Sequence, residues 1–277
     1  MELCDRLIGL TLGWEHCSRW LSLQDGGSEQ LRLPVIAVLA HGPSGWTLLD
    51  TGLSPAMRDA ERAGRIYPRL PPEFPGPEDP LLDALAACDV ALADVTTVAV
   101  SHLHVDHTGG LEHLADGRPV VIQGDELAFG RTADADGCGY LREDYDRPGI
   151  AWRTLDGDGP IAPGIDAIAT PGHTPGHMSY RVRTVAGTWI FAMDAIDLQD
   201  GIDTDTPIGS TARPQDDPLR RTSHDRLVAL AAAEGAHLIP GHCPRVWPSF
   251  PGPPNGAVAP TAGSPPATTS TPTERNR

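Results

Sequence analysis

Between Ser101 and Thr108 the chain reads His102-Leu103-His104-Val105-Asp106-His107. Three imidazoles and a carboxylate fall within six residues. Imidazole nitrogen and carboxylate oxygen are the donors that divalent zinc, iron, cobalt or manganese take as ligands. The plainer reading, a solvated histidine-rich loop, gives no reason for such crowding. The residues before it, Asp94-Val95-Thr96-Thr97-Val98-Ala99-Val100-Ser101, are rich in β-branched side chains and read as a strand. Thr108-Gly109-Gly110 breaks that strand and allows a helix to start. The metal-type residues therefore sit at a strand's carboxyl end, where α/β folds place their chemistry.

Six residues cannot fill two coordination spheres, so further ligands are expected downstream. Three later segments share one grammar: an apolar run, a Gly or Pro turn, then a metal-type residue. Ile165–Thr170 leads into Pro171-Gly172-His173-Thr174-Pro175-Gly176-His177. Thr188–Met193 leads into Asp194-Ala195, and Ala236–Pro240 into Gly241-His242.

Together with Leu49-Asp50-Thr51-Gly52, these stretches resemble, in order and spacing, the metallo-β-lactamase superfamily of hydrolases. Within it the chain is most similar to the N-acyl homoserine lactonase group. Leu33-Pro34-Val35 ahead of the Asp50 strand, the run from Thr170 to Ser179, and Arg245-Val246-Trp247-Pro248 after the last histidine carry that likeness. It spans residues 3 to 250. It implies an α/β fold, an αβ/βα four-layer sandwich of two mixed sheets flanked by helices, with residues 1–250 as a single domain. It also implies two divalent metal ions, one held by His102, His104 and His173, the other by Asp106, His107 and His242. Asp194 would bridge them together with a water or hydroxide. Zinc is the expected metal, and iron, cobalt and manganese accept the same ligands.

The reaction so implied is attack of a metal-held hydroxide on a lactone carbonyl, by default that of an N-acyl homoserine lactone. Two cations about 3.5–4 Å apart can both activate water and polarise the carbonyl. Asp106, Asp194 and Asp197 are the expected catalytic carboxylates, with Asp194 as the route of a proton to the leaving alkoxide. Asp50 is expected to orient a ligand histidine; an ordinary Asp-Thr-Gly turn is its plainer reading. A thioesterase or other carboxylic ester hydrolase of secondary metabolism is the alternative enzyme. A metal-binding sensor module is the non-enzymatic one, but all seven ligand positions are filled and no flavin-binding domain is visible, which favours hydrolysis.

One position departs from the lactonase pattern. A Tyr commonly lies three residues after the bridging Asp, and here that residue is Asp197. An ionised carboxylate cannot donate a hydrogen bond to an oxyanion as a phenol can. Either Tyr140 or Tyr145 supplies the donor, or Asp197 serves a cationic or hydroxylated substrate or a proton relay. The plain alternative is a solvent-exposed Asp at a helix start. Of the remaining histidines, His177 is expected to steady the His173 loop and His113 to face solvent from a helix. His16, His41, His224 and His237 read as surface or satisfied core residues. Cys243, next to His242, is expected to be a bystander because neighbours in extended backbone point apart.

The elements that must position these groups fall into two halves. The first is expected to run to Leu155, with strands near Leu33–Ala40, Thr47–Asp50 and Val120–Gln123. A helix is predicted over Pro80–Cys88 from the spacing of Leu81, Leu82 and Leu85. The second half starts near Gly164. Ser179–Thr184 and Thr188–Met193 flank Ala186-Gly187 as a hairpin, and His224–Glu234 reads as a helix with Leu227, Val228, Leu230 and Ala231 inward and Gly235 ending it. The proline-rich stretch Tyr67–Pro80 cannot be regular structure and is expected near the site mouth. Cys138–Trp152 is expected to line a pocket. Pro251–Arg277, built of Pro, Ala, Thr, Ser and Gly, is expected to be a disordered tail.

Composition sets the bounds. Of 277 residues, 40% are hydrophobic, enough for one large core, and no apolar run is long enough for a membrane span. The N-terminus shows no secretory pattern. Five scattered cysteines suit the reduced thiols of a cytoplasm. A net charge of −16 argues against a nucleic-acid partner, and the absence of Lys excludes Schiff-base and P-loop chemistry. The expected partner is a small-molecule lactone or ester. The oligomeric state stays open, a homodimer included.

Overall fold

The computed structural model describes residues 2–252. Eleven strands form two sheets. The first holds β1 (Arg6–Ser18), β2 (Gln30–Gly42), β3 (Gly45–Leu49), β4 (Val95–Ala99), β5 (Pro119–Gln123) and β6 (Ala151–Leu155), in that spatial order. Its first two pairings are antiparallel and the rest parallel. The second sheet comprises β7 (Gly159–Ala162), β8 (Ile165–Ala169), β9 (Met178–Thr184), β10 (Gly187–Met193) and β11 (His237–Pro240), ordered β11-β10-β9-β8-β7. Only β10 and β11 run parallel there. Both sheets are mixed, as expected.

The helices among the described residues are α1 (Arg19–Ser22), α2 (Ala60–Gly64), α3 (Pro80–Ala87), α4 (Val105–Thr108), α5 (Gly124–Gly130), α6 (Arg142–Tyr145), α7 (Gln199–Asp203) and α8 (Asp217–Glu234).

The alternation of β2 shows why the layers stack. Val35, Ala37 and Leu39 face outward onto Leu81 and Leu85 of α3. Ile36, Val38 and Ala40 face inward onto Met178, Tyr180, Val182 and Phe191 of the second sheet. A strand buried on both faces reads as one continuous apolar run. The second sheet turns Ile168, Ile190 and Ala192 to its far side, against Leu227 and Ala231 of α8. The layers are thus helix, sheet, sheet, helix. Each fully buried Leu or Ile adds roughly 1.5–3 kcal/mol, and both the helix-facing side of the first sheet and the layer between the sheets hold many such residues.

Some expectations shift. In α3, Leu81 and Leu85 are buried but Leu82 is exposed. Helix α8 begins at Asp217, seven residues before the expected start, because its first turns are polar and leave no apolar rhythm to read. Within it Leu227 and Ala231 are buried, while Val228 and Leu230 are half-buried. Gly235 ends it in the left-handed conformation at φ 59°. His113 does not face solvent: it lies in a 3-10 turn (Gly109–His113), half-buried, with Nε2 2.8 Å from Asp79 Oδ2. Cys138–Trp152 is not all loop, since it contains α6 and enters β6. The expected tail beginning at Pro251 lies almost wholly outside the described residues. Pro251 itself accepts a hydrogen bond from the Gly9 N–H at 2.6 Å. No helix among the described residues is long and apolar enough to cross a membrane.

Candidate metal centre

Four strands end at one rim and deliver the metal-type residues there. After β4 the chain passes Val100-Ser101 into His102–His107, with His104 as N-cap of α4. After β8 comes the turn carrying His173, after β10 Asp194, and after β11 His242. Two glycines make the approach possible. A Cβ on Gly241 would lie 2.5 Å from the Met193 carbonyl, and one on Gly176 would lie 2.2 Å from the Glu126 nitrogen. No side chain fits at either contact.

All seven predicted ligand residues meet. His102, His104, His173 and Asp194 offer ligand atoms mutually within 4.8 Å, and so do Asp106, His107 and His242. Asp194 faces both sets with different atoms. Its Oδ1 lies 3.0 Å from His242 Nε2 and 3.2 Å from His107 Nε2. Its Oδ2 lies 3.4 Å from His173 Nε2 and 3.8 Å from His102 Nε2. Asp106 Oδ2 is 3.1 Å from His107 Nε2 and 3.7 Å from His242 Nε2, and His173 Nε2 is 3.0 Å from His104 Nδ1.

The outward nitrogens of four histidines are fixed. His107 Nδ1 pairs with Asp50 Oδ2 at 2.8 Å, His242 Nδ1 with the Pro34 carbonyl at 2.9 Å, His102 Nδ1 with Ser101 Oγ at 3.0 Å, and His173 Nδ1 with Ser210 Oγ at 3.0 Å. Such anchoring aims the opposite nitrogen inward, as metal-ligating histidines require. Buried His102 Nε2 then has no hydrogen-bond partner, and His107 Nε2 approaches two carboxylates without hydrogen-bond geometry to either. Uncompensated buried nitrogens beside two carboxylates are what bound divalent cations would satisfy, so the donor set fits such ions.

The two halves differ in charge. Burial holds His102 well below the ordinary imidazole range, His104 down at about 3 and His173 at about 4. Burial also opposes charge on His107 and His242. There the carboxylates of Asp106 and Asp194 around His107, and of Asp194 and Asp197 around His242, outweigh it and push both well up. Burial raises Asp106 and Asp194, but the imidazolium side of the cluster overrides it, bringing Asp106 to about 2 and Asp194 well below its usual range.

His177 stays out of both sets. Its Nδ1 meets Thr170 Oγ1 at 2.9 Å, and its Nε2 accepts from the Asp194 backbone N–H at 3.1 Å. It thus holds the Asp194 turn together with the His173 loop. Cys243 is buried beside the site, its sulfur accepting from Gln199 N–H at 3.4 Å. His16 pairs with Glu73, His41 with Asp5, and His237 stacks on Trp189.

Neither the exposed alternative for Asp197 nor a free phenol on Tyr140 or Tyr145 is found. Asp197 is not a solvent-exposed helix-start residue. It is 6% exposed, its Oδ1 has no partner, and its carbonyl accepts from His242 N–H at 3.0 Å. The bond ties the Asp194–Asp197 turn to the β11 end, which draws the side chain inside. Neither Tyr140 nor Tyr145 offers a free donor, because their hydroxyls are spent on Glu126 Oε1 at 2.7 Å and the Gly130 carbonyl at 2.6 Å. The phenol that does reach the cavity is Tyr67, bonded to Glu15 Oε2 at 3.2 Å.

Glu126 is one residue that sequence reasoning missed. Fully buried in α5, it accepts from Leu103 N–H at 2.9 Å, Gly176 N–H at 3.0 Å and the Tyr140 hydroxyl. It joins the His102–His107 loop to the His173 loop. An Asp-Glu pair at a helix start reads as ordinary helix chemistry, so no local signal marks it.

A cavity of about 570 Å³ opens over the cluster. Of the proline-rich stretch, Tyr67, Pro68, Arg69 and Leu70 line it while Pro75, Gly76 and Pro80 line a separate cavity, and of Cys138–Trp152 only Cys138 and Gly139 reach it. Glu15, at the end of β1, also lines it, and burial with the nearby Asp106 raises its carboxyl to about 7.

Known proteins share this architecture. The family model described as the metallo-beta-lactamase superfamily matches residues 32–242. The N-acyl homoserine lactonase AttM of Azorhizobium caulinodans is 31% identical over 83% of this chain and 89% of its own length. An N-acyl homoserine lactonase of Bacillus sp is 27% identical over 82% and 88%. A solved N-acyl homoserine lactone hydrolase with N-hexanoyl-L-homoserine at its catalytic metal centre aligns with a TM-score of 0.80 at 21% identity, covering 92% of this chain and 100% of that one. The fold, the extent of the family match and the AttM identity together show that the chain belongs to the metallo-β-lactamase superfamily.

Proposed function

We propose that this protein is a metal-dependent hydrolase that opens a lactone of the N-acyl homoserine type, with residues 1–250 as one catalytic domain. The observation that carries this reading is the split of Asp194, one oxygen toward His107 and His242 and the other toward His102 and His173, at the floor of a substrate-sized cavity. His102, His104 and His173 would hold one ion and Asp106, His107 and His242 the other, with Asp194 between. Two bound divalent cations would make water nucleophilic near neutral pH and draw electron density from an ester carbonyl.

The chain's own contribution is placement. Asp50, Ser101, Ser210 and the Pro34 carbonyl keep the imidazoles aimed inward. Asp194, which we assign as the proton route to the leaving alkoxide, and Asp106 are both held as carboxylates, so a proton taken at either oxygen would be passed on rather than stored. The segment from Tyr67 to Leu70 contributes to the cavity lining.

Zinc is the metal we assign, on a donor set rich in imidazole. All five cysteines are free, which supports a reducing compartment such as the cytoplasm. The relatives named for N-acyl homoserine lactones support the substrate class. The test is a hydrolysis panel of lactones, thioesters and simple esters followed by proton release. N-acyl homoserine lactones should turn over fastest; a panel in which thioesters dominate would move the assignment to a thioesterase.

A further inference from the structure

The cavity above the histidine cluster has an acidic, acceptor-rich wall. Glu15, Asp106, Asp194 and Asp197 all line it. Asp197 is the one with an unmet need: its side chain is buried and Oδ1 has no hydrogen-bond partner. It offers an oxygen within 4.8 Å of ligand atoms on both Asp194 and His242. Glu15 stands on the same cavity with one oxygen engaged by Tyr67 at 3.2 Å. Burying a carboxyl oxygen without a donor is unfavourable. A bound substrate that brings the missing donor removes that penalty. A carboxyl oxygen accepts hydrogen bonds in either protonation state, so its charge does not decide the matter.

We propose that Asp197, with Glu15 beside it, is the specificity-determining acceptor for a nitrogen-bound hydrogen on the carbon next to the substrate's ester carbonyl. This rests on the ester-opening reading above. Asp197 stands beside Asp194 and His242, so a carbonyl seated over that side of the cluster would have its neighbouring carbon near Asp197. An amide N–H or an ammonium there finds an acceptor; an alkyl group leaves Oδ1 bare.

The experiment compares three γ-butyrolactones that differ only at the α-carbon: an acylamino group, a free amino group, or an alkyl chain matched in length to the acyl group. The wild-type protein, Asp197→Ala and Asp197→Asn are each assayed, and their metal content is measured. A site that reads a donor rejects the analogue lacking it, so the wild type should favour both nitrogen-bearing lactones by about tenfold or more in kcat/KM. Asp197→Ala should lose about tenfold on those two, chiefly through KM, and stay within about threefold on the alkyl lactone. Asp197→Asn keeps an acceptor oxygen and should recover most of the preference, with metal content unchanged in both variants.

Equal loss on all three lactones would overturn the proposal, since Asp197 would then serve the reaction itself. Loss of metal in Asp197→Ala would overturn it too, making Asp197 a ligand. A wild type that opens the alkyl lactone as well as the others sinks this inference alone. A metal-replete wild type that opens none of the three removes the ester-opening reading and this inference with it.

Discussion

Asp50 Oδ2 lies 2.8 Å from His107 Nδ1, and both side chains are fully buried. The same carboxylate accepts from Ser101 N–H at 2.6 Å, Ser101 Oγ at 2.8 Å and the Tyr180 hydroxyl at 2.8 Å. Asp50 adopts φ 61°, a left-handed backbone that is uncommon outside Gly, Asn and Asp. One residue thus joins β3, the ligand loop and the second sheet. Asp50→Asn preserves shape but presents an amide N–H where His107 needs an acceptor. We expect metal affinity at the Asp106, His107 and His242 half to fall by about 10–100-fold. Competition against a chelating dye measures it, and unchanged affinity would strip Asp50 of its orienting role.

Glu126 joins the His102–His107 loop to the loop that carries His173. Burial pushes its carboxyl upward, while the donors of Tyr140, Leu103 and Gly176 pull it back. Glu126→Gln places an NH₂ group against at least one of these donors. The expected cost is about 1–3 kcal/mol, from a buried donor left unpaired, together with weaker metal binding at the His104 and His173 half. Thermal unfolding with and without metal reads both effects. A variant with unchanged melting temperature and metal content would show that the loops do not depend on this carboxylate.

The two halves of the cluster should respond differently to acid. His102, His104 and His173 are pushed down and stay neutral at pH 7, so an ion binding there displaces no imidazole proton. His107 and His242 are pushed up and hold protons at pH 7 before an ion arrives. Protons compete with the metal at raised-pKa ligands, and lower pH strengthens that competition. As pH falls from neutrality, metal content should therefore drop first from about two to about one per chain, emptying the Asp106, His107 and His242 half. Metal analysis after equilibration across pH, repeated with His242→Ala and His104→Ala, checks the order. Loss of both ions in one step, or first loss from the His104 half, would contradict the charge asymmetry.

Much of the site was legible because each ligand follows a strand and a turn. The β-branched run before His102 and the proline-glycine turn before His173 mark where backbone stops and chemistry starts. β1 was not legible. Leu7 packs between the sheets while Ile8, Leu10 and Leu12 face the opposite side, and Gly9 and Gly13 interrupt the rhythm. Ile8, Leu10 and Leu12 do alternate, but the run is short and Gly9 and Gly13 read as turn signals rather than strand. That strand carries Glu15 into the cavity, so an unread element hid a site residue. Asp197 was placed at the site from its spacing after Asp194, but its burial was not legible: its carbonyl is bonded by His242 N–H, 45 residues on, a contact that no local pattern encodes.

The central claim is that two ions held by these side chains drive lactone opening. Its most direct test removes all metal with a chelator and then follows N-acyl homoserine lactone ring opening while zinc is added back in measured amounts. The stripped protein should be inactive, and activity should rise and level off near about two equivalents per chain, as a paired-ion site demands. Full lactone turnover by protein shown to be free of metal would contradict the account, as would a fully reloaded protein that leaves the lactone intact.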